Sequence, residues 1–212
     1  MSSREQILQR MRAAAQPTAP AAPWNRSEPF TDLARTFGGK VVEAGGEVLH
    51  ATDHADAQRQ LLEFLNAETD GTLVYNPEGF AAEFFSDLAA ERALAPSAAS
   101  SPDSWIATCE RAAAGVTGVD AAFAQTGTVI LSSGSTSSRL VSLLPPIHIA
   151  VVYTDQILSD IIEWVGQGFS AEAANTVLVS GPSKSADIEQ TLTIGVHGPK
   201  RFVVLLIESA QP

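Results

Sequence analysis

The segment Thr176–Ile207, TVLVSGPSKSADIEQTLTIGVHGPKRFVVLLI, decides how this chain is read. Its two ends, Thr176 to Val179 and Phe202 to Ile207, are apolar runs of strand length, and the second carries several β-branched residues. Between them lie two turns rich in Gly, Pro and hydrogen-bonding side chains, Ser180 to Ser185 and His197 to Arg201. Turns at the ends of sheet strands are where binding and catalytic groups collect, so the segment predicts two sheet strands with a pocket rim between them.

Upstream, Ile147 to Tyr153 is a continuous apolar run with one histidine, the pattern of a strand buried on both faces. Asp155 is expected to cap a helix from Gln156 to Val165, with Ile157, Leu158, Ile161 and Ile162 inward. Ala121 to Ala124 and Thr128 to Leu131 flank Gln125-Thr126-Gly127 and predict a hairpin. A Ser/Thr/Gly loop, Ser132 to Ser138, leads into Arg139 and a short apolar segment, Leu140 to Leu144, stopped by Pro145-Pro146. The first half alternates. Phe30 to Phe37 predicts a helix stopped by Gly38-Gly39, followed by strands at Lys40 to Ala44 and Val48 to Ala51. Asp53 caps a helix to about Ala67, Thr72 to Tyr75 is a strand, Phe80 to Leu94 is helical, and Ala95 to Asp103 is a surface loop. Such alternation predicts an α/β fold with a mainly parallel sheet covered by helices. At the N-terminus, Ser3 caps a helix from Arg4 to about Ala15, and a Pro/Ala-rich stretch follows. The expected organisation is a helical arm over 1–15, a linker over 16–26 and one α/β domain over 27–212.

The chain has 212 residues, 45% of them hydrophobic, enough for one sizeable core. Its net charge of -11 argues against nucleic acid and anionic membrane surfaces as partners. No window approaches the roughly 18 apolar residues of a membrane span, and the N-terminus lacks the apolar stretch of a signal peptide, so a cytoplasmic location is expected. The single cysteine, Cys109, excludes an internal disulfide and a cysteine-ligated cluster held by this chain alone.

Within an acidic chain, the local excess of cations at Lys184, Lys200 and Arg201 is the best hint of a small anionic ligand, because only three lysines occur in all. The Walker spacing is absent, and a capped surface turn with solvated lysines is the competing reading. Gln125-Thr126-Gly127-Thr128 offers two hydroxyls beside a glycine turn, with an ordinary hairpin as the alternative. Arg139 follows the serine-rich loop, where it would face a carboxylate or phosphate; no Gly-x-Ser-x-Gly elbow supports a serine nucleophile. His50, His54, Asp53 and Asp56 form a metal site on paper only, since they straddle a strand end and a helix cap, and no metal site is expected. His148 reads as a satisfied core histidine, and Cys109 as an inert buried thiol. His197, among glycines and near Lys200, is the histidine best placed to exchange protons or donate a hydrogen bond.

Four ordered motifs carry a more specific likeness: Gly118-Val119-Asp120-Ala121-Ala122-Phe123-Ala124-Gln125-Thr126-Gly127-Thr128, then Leu144-Pro145-Pro146-Ile147-His148-Ile149, then Ser180 through Gln190, then Gly195-Val196-His197-Gly198-Pro199. In this order they resemble the LUD-domain proteins of the lactate-utilization protein C type (LutC/YkgG). The resemblance implies a fold like the NagB/RpiA/CoA-transferase group, with helices on both faces of the sheet. It implies a non-redox subunit that supports oxidation of L-lactate to pyruvate, with iron–sulfur clusters carried by partner proteins and no cofactor on this chain. On that footing His197 and Lys184 are the expected catalytic residues. The expected ligand-binding set is Gln125, Thr126, Gly127, Thr128, Arg139, Gly181, Ser183, Ser185, Asp187, Glu189, Gln190 and Gly198. Relatives often have Glu where this chain has Gln125, which cannot form an acyl-glutamyl intermediate. The fold analogy leaves a second reading open, an independent transferase- or isomerase-like enzyme for an acyl-CoA, sugar phosphate or nucleotide.

Overall fold

The computed structural model describes residues 3–14, 30–76, 88, 94–96, 102–167, 173–186, 192–194 and 197–208. In chain order the elements are α1 (Ser3–Ala14), α2 (Leu33–Glu43), β1 (Glu47–Ala51), α3 (His54–Glu68), β2 (Leu73–Tyr75), β3 (Leu94–Pro96), α4 (Pro102–Arg111), β4 (Ala114–Thr117), β5 (Ala121–Phe123), β6 (Thr128–Ser133), α5 (Leu140–Leu143), β7 (Ile147–Tyr153), β8 (Ile157–Leu158), α6 (Ile161–Gln167), β9 (Asn175–Val179), β10 (Lys184–Ala186), β11 (Leu192–Ile194) and β12 (Arg201–Ile207).

A six-stranded sheet in the order β1-β12-β7-β4-β2-β3 forms the centre, and every pairing in it is parallel. β7 and β12, the longest apolar runs, lie side by side in its middle, where both faces are covered. Alternate residues serve opposite layers. Ile149, Val151, Val203 and Leu205 pack under α3 through Leu61 and Leu65. Ala150, Val152, Val204 and Leu206 face the other way, onto Phe37 and Val41 of α2 and Ala122 and Val129 of a second sheet. That second sheet has the order β8-β5-β6-β9. On the same side, α4 and α5 cover β2 through Trp105, Cys109 and Val141 on Val74. The expected α/β architecture with a parallel sheet and helices on both faces is therefore what the chain adopts.

Several local expectations are corrected. α2 does not stop at Gly38-Gly39 but runs through both, and Lys40 to Ala44 is its last turn and cap rather than a strand. Each glycine costs about 1 kcal/mol in a helix, whereas burying Phe37 and Val41 returns roughly 1.5–3 kcal/mol apiece. The actual stop is a Schellman turn: Gly45, at φ 89°, donates to Val42 O, and Gly46 donates to Val41 O. The expected helix from Gln156 to Val165 is split. Thr154–Gln156 is a 3-10 turn pinned by Gln156, whose side chain accepts from Tyr153 N at 2.9 Å and donates to Val119 O at 2.8 Å. Ile157–Leu158 then pairs with β5, and Asp160, not Asp155, caps α6 by accepting from Ile162 N and Glu163 N. Ile157 is buried, but Ile161 and Ile162 are exposed, so only part of the expected inward face is inward.

The loop expected over Ala95 to Asp103 contributes to strand β3 at one end and to α4, which starts at Pro102, at the other. Of the helix expected over Phe80 to Leu94, only Leu88, which is buried, and the strand residue Leu94 lie among the described residues.

Candidate functional site

The turns of the C-terminal segment close over a cavity of about 210 Å³ between the main sheet and β9. Its lining includes His148 of β7 and Phe202 of β12, Val177 to Val179 of β9, and Ser142 and Leu143 of α5. The rim is Ser180, Gly181 and Ser183 from one turn, and His197, Gly198 and Pro199 from the other. The two turns are tied together, since Ser183 N donates to Pro199 O at 2.9 Å. They are also anchored below, where the backbone N–H groups of Lys200 and Arg201 donate to Pro146 O. β10 and β11 form a small antiparallel ribbon between the turns, an element the sequence pattern did not reveal.

A chain of hydroxyls runs from this rim to the β5–β6 hairpin. Thr128 Oγ1 lies 2.7 Å from Ser180 Oγ and 2.6 Å from Thr126 Oγ1. The hairpin itself is seated against α2. Gly127 has φ 65°, and a Cβ there would stand 2.6 Å from the backbone of Lys40 and Val41. Thr126 and Thr128 therefore reach the cavity through Ser180, while Gln125 is exposed and spends its backbone N–H on Ser159 O.

On the cavity floor His148 is fully buried. Phe202, its register partner on β12, lies against its ring with 5.5 Å between centroids. Its Nε2 is 3.0 Å from Thr117 Oγ1, also buried, on the adjacent β4. Its Nδ1 is buried without a hydrogen-bond partner among the described residues. Burial pushes the imidazole pKa down to about 3, so the ring is neutral at any physiological pH. The expectation of a satisfied core histidine is thus half met. Sequence reasoning placed His148 in the core but not at a site, because an apolar strand conceals which of its positions lies beside a cavity.

The remaining expected residues divide. Gly181, Ser183, His197 and Gly198 meet at the cavity. Lys184 is exposed and donates through Nζ to Ala44 O, the cap of α2, where a cation opposes the negative end of the helix. Arg139 lies in a second cavity of about 580 Å³, lined by Ser133 to Leu140, Asn175 and Ile106. Helix α5 separates the two cavities, with Arg139 and Leu140 at one end and Ser142 and Leu143 at the other. Ser185 lies on β10, and Asp187, Glu189 and Gln190 fall outside the described residues.

The cation cluster is also smaller than composition suggested. Arg201 is clamped by both carboxylate oxygens of Glu47 at 2.8 Å and by Glu68 at 2.5 Å, and it stacks over Phe64. Its charge is committed at the edge of the sheet, not in the cavity, and its hydrogen bonds hold the Glu47 carboxyl below the usual range. Cys109 is buried, and burial pushes its thiol up to about 11, leaving it unreactive at neutral pH. Among the described residues no group of three or more His, Cys, Asp or Glu is placed to hold a metal ion. Asp53 caps α3, and Asp56 pairs with Arg59. No described helix is long and apolar enough to cross a membrane.

Known proteins are similar to this chain over part or most of its length. Lactate utilization protein C of Bacillus subtilis is 38% identical over 109 residues, 48% of this chain and 45% of that protein. The protein of the same name from Macrococcus caseolyticus is 33% identical over 142 residues, 64% of this chain and 61% of that one. The chain thus spans about half the length of the curated relatives it matches. The crystal structure of a duf162 family protein from Deinococcus radiodurans shares the fold, with a TM-score of 0.59 at 24% identity over 87% of this chain and 99% of that one. The LUD domain model matches residues 35–207, from within α2 to the last residue of β12, and the chain belongs to the LUD domain family.

Proposed function

We propose that this chain serves lactate utilisation in the cytoplasm by binding a small acid in the cavity between β9 and the main sheet. It supports oxidation of L-lactate to pyruvate without carrying the electrons itself. The observation that carries this reading is the cavity's chemistry: apolar walls from Leu143, Val177, Val179 and Phe202, with hydroxyls and His197 at the rim. Such a site suits a compact molecule with one apolar end and one anionic end. The likeness to proteins named Lactate utilization protein C supports the pathway.

Converting lactate to pyruvate removes two electrons and two protons. A single buried cysteine does not fit a cysteine-ligated cluster, so iron–sulfur partner proteins take the electrons in this reading. His197 and the Thr126–Thr128–Ser180 hydroxyls are the groups that hold or move protons at the rim. The volume of this cavity, about 210 Å³, suits a small acid rather than a whole acyl-CoA or nucleotide. The test is deletion of the gene in its native host. The expected result is loss of growth on L-lactate but not on glucose, restored by the wild-type gene, with affinity capture of the tagged chain recovering iron–sulfur proteins. Intact lactate growth and intact complex assembly after deletion would sink the proposal.

A further inference from the structure

We propose that His148 is the specificity-determining group of the cavity, hydrogen-bonding through Nδ1 to an uncharged hydroxyl or keto oxygen carried beside the carboxylate of a small acid. The inference rests on the reading of this cavity as an acid-binding site and adds which part of the acid is read, and by what.

A buried polar atom left without a hydrogen-bond partner costs roughly 1–3 kcal/mol, and native interiors contain few. His148 is fully buried, yet Nδ1 has no partner among the described residues, and the residue lines the cavity. The walls beside it, Phe202 and Val177 to Val179, are apolar. Nδ1 has no surface open to water, so a ligand oxygen reaches it only when the ring or a neighbouring lining side chain shifts toward the cavity, and it then supplies what the ring lacks.

The partner on the other nitrogen makes the site adaptable. Thr117 Oγ1 either donates to Nε2 or accepts from it. When Thr117 donates, Nδ1 carries the proton and donates to a keto oxygen. When Thr117 accepts, Nδ1 is bare and accepts from a ligand hydroxyl. One buried histidine thereby serves both the hydroxy and the keto form of the same acid. The ring stays neutral, because burial holds its pKa near 3, and so offers no cation to a carboxylate. The carboxylate belongs at the rim, with Ser180, Ser183 and His197.

The experiment uses the full chain with three probes: L-lactate, pyruvate and propionate, the last lacking the neutral oxygen. Calorimetry should give lactate and pyruvate affinities roughly tenfold above propionate, the weight of one buried hydrogen bond. His148→Phe, which keeps the ring stack, should bring all three to the propionate level and leave propionate unchanged. His148→Gln should restore part of the preference. On wild-type protein labelled with 15N-histidine, the His148 Nδ1 resonance should move with lactate and pyruvate but not with propionate, a readout that needs no variant to fold. If none of the acids binds the wild type, the reading of the cavity falls and this inference with it. If the acids bind but His148→Phe keeps the preference, or Nδ1 does not respond, this inference alone is overturned.

Discussion

Mild acid should destabilise the chain through His148, and the size of the effect follows from its burial. The folded pKa is pushed down to about 3 from an ordinary 6.5 because the imidazole is fully buried between β4, β12 and the cavity. The unfolded chain therefore binds one proton more than the folded chain between about pH 3 and 6.5. Stability rises with pH across that window and is lost as pH falls through it. One proton gives a slope of about 1.4 kcal/mol per pH unit, so the loss from about pH 7.5 to pH 5 reaches roughly 2 kcal/mol. The carboxylates do not confuse this range. Glu47 is held low by the Arg201 hydrogen bond and Asp56 by the Thr52 N–H. Their stabilisation is present above the unfolded carboxyl pKa and fades only as pH falls below about 4.5. The assay is urea unfolding at a series of pH values for wild type and His148→Phe. The wild-type curve should fall more steeply, by about 1.4 kcal/mol per pH unit below pH 6, whatever the absolute stability of the variant. Parallel curves would refute the reasoning, since a solvated or protonated histidine would carry no such slope.

Gly115→Ala puts a Cβ 1.8 Å from Val141 O, under α5, and should lower stability by roughly 1–3 kcal/mol in denaturant melts; a wild-type midpoint would show that α5 can lift at no cost. Arg201→Ala should cost about 1 kcal/mol, with much of the loss recovered by salt screening in the comparison with wild type, and Arg201→Lys should recover only part because the two-pronged contact to Glu47 is lost. His197→Ala should impair growth on L-lactate with the melting temperature unchanged, since the side chain is exposed at the rim. Lys184→Ala should lower stability by up to about 1 kcal/mol through its place at the end of α2; a growth defect with no change in melting temperature would instead give Lys184 a direct part in function.

The centre of the parallel sheet was legible because its strands there are continuous apolar runs that need no context, as in Ile147 to Tyr153 and Phe202 to Ile207, whereas the short strands β3 and β4 were not. The hairpin at Gln125-Thr126-Gly127 was legible because its turn residues have few other uses. The end of α2 was not, since Gly38-Gly39 is a stop signal that buried Phe37 and Val41 override. The break at Ser159-Asp160 was hidden because Ile157, Leu158, Ile161 and Ile162 fit one helical face as well as they fit a short strand followed by a helix. At the site, the rim turns could be read from composition, but not where their cations go. Arg201 reaches Glu47 and Glu68 across the sheet edge, contacts separated by more than a hundred residues. The floor was invisible for a related reason. Whether His148 is satisfied depends on Thr117, Phe202 and a void between layers, none of which is near it in sequence.

The most direct test of the account is a crystal structure of the full chain soaked with pyruvate. The account predicts the acid in the cavity between β9 and the main sheet, its keto oxygen within hydrogen-bond distance of His148 Nδ1 and its carboxylate at Ser180, Ser183 and His197. Water alone on His148, with pyruvate bound elsewhere or nowhere, would contradict it.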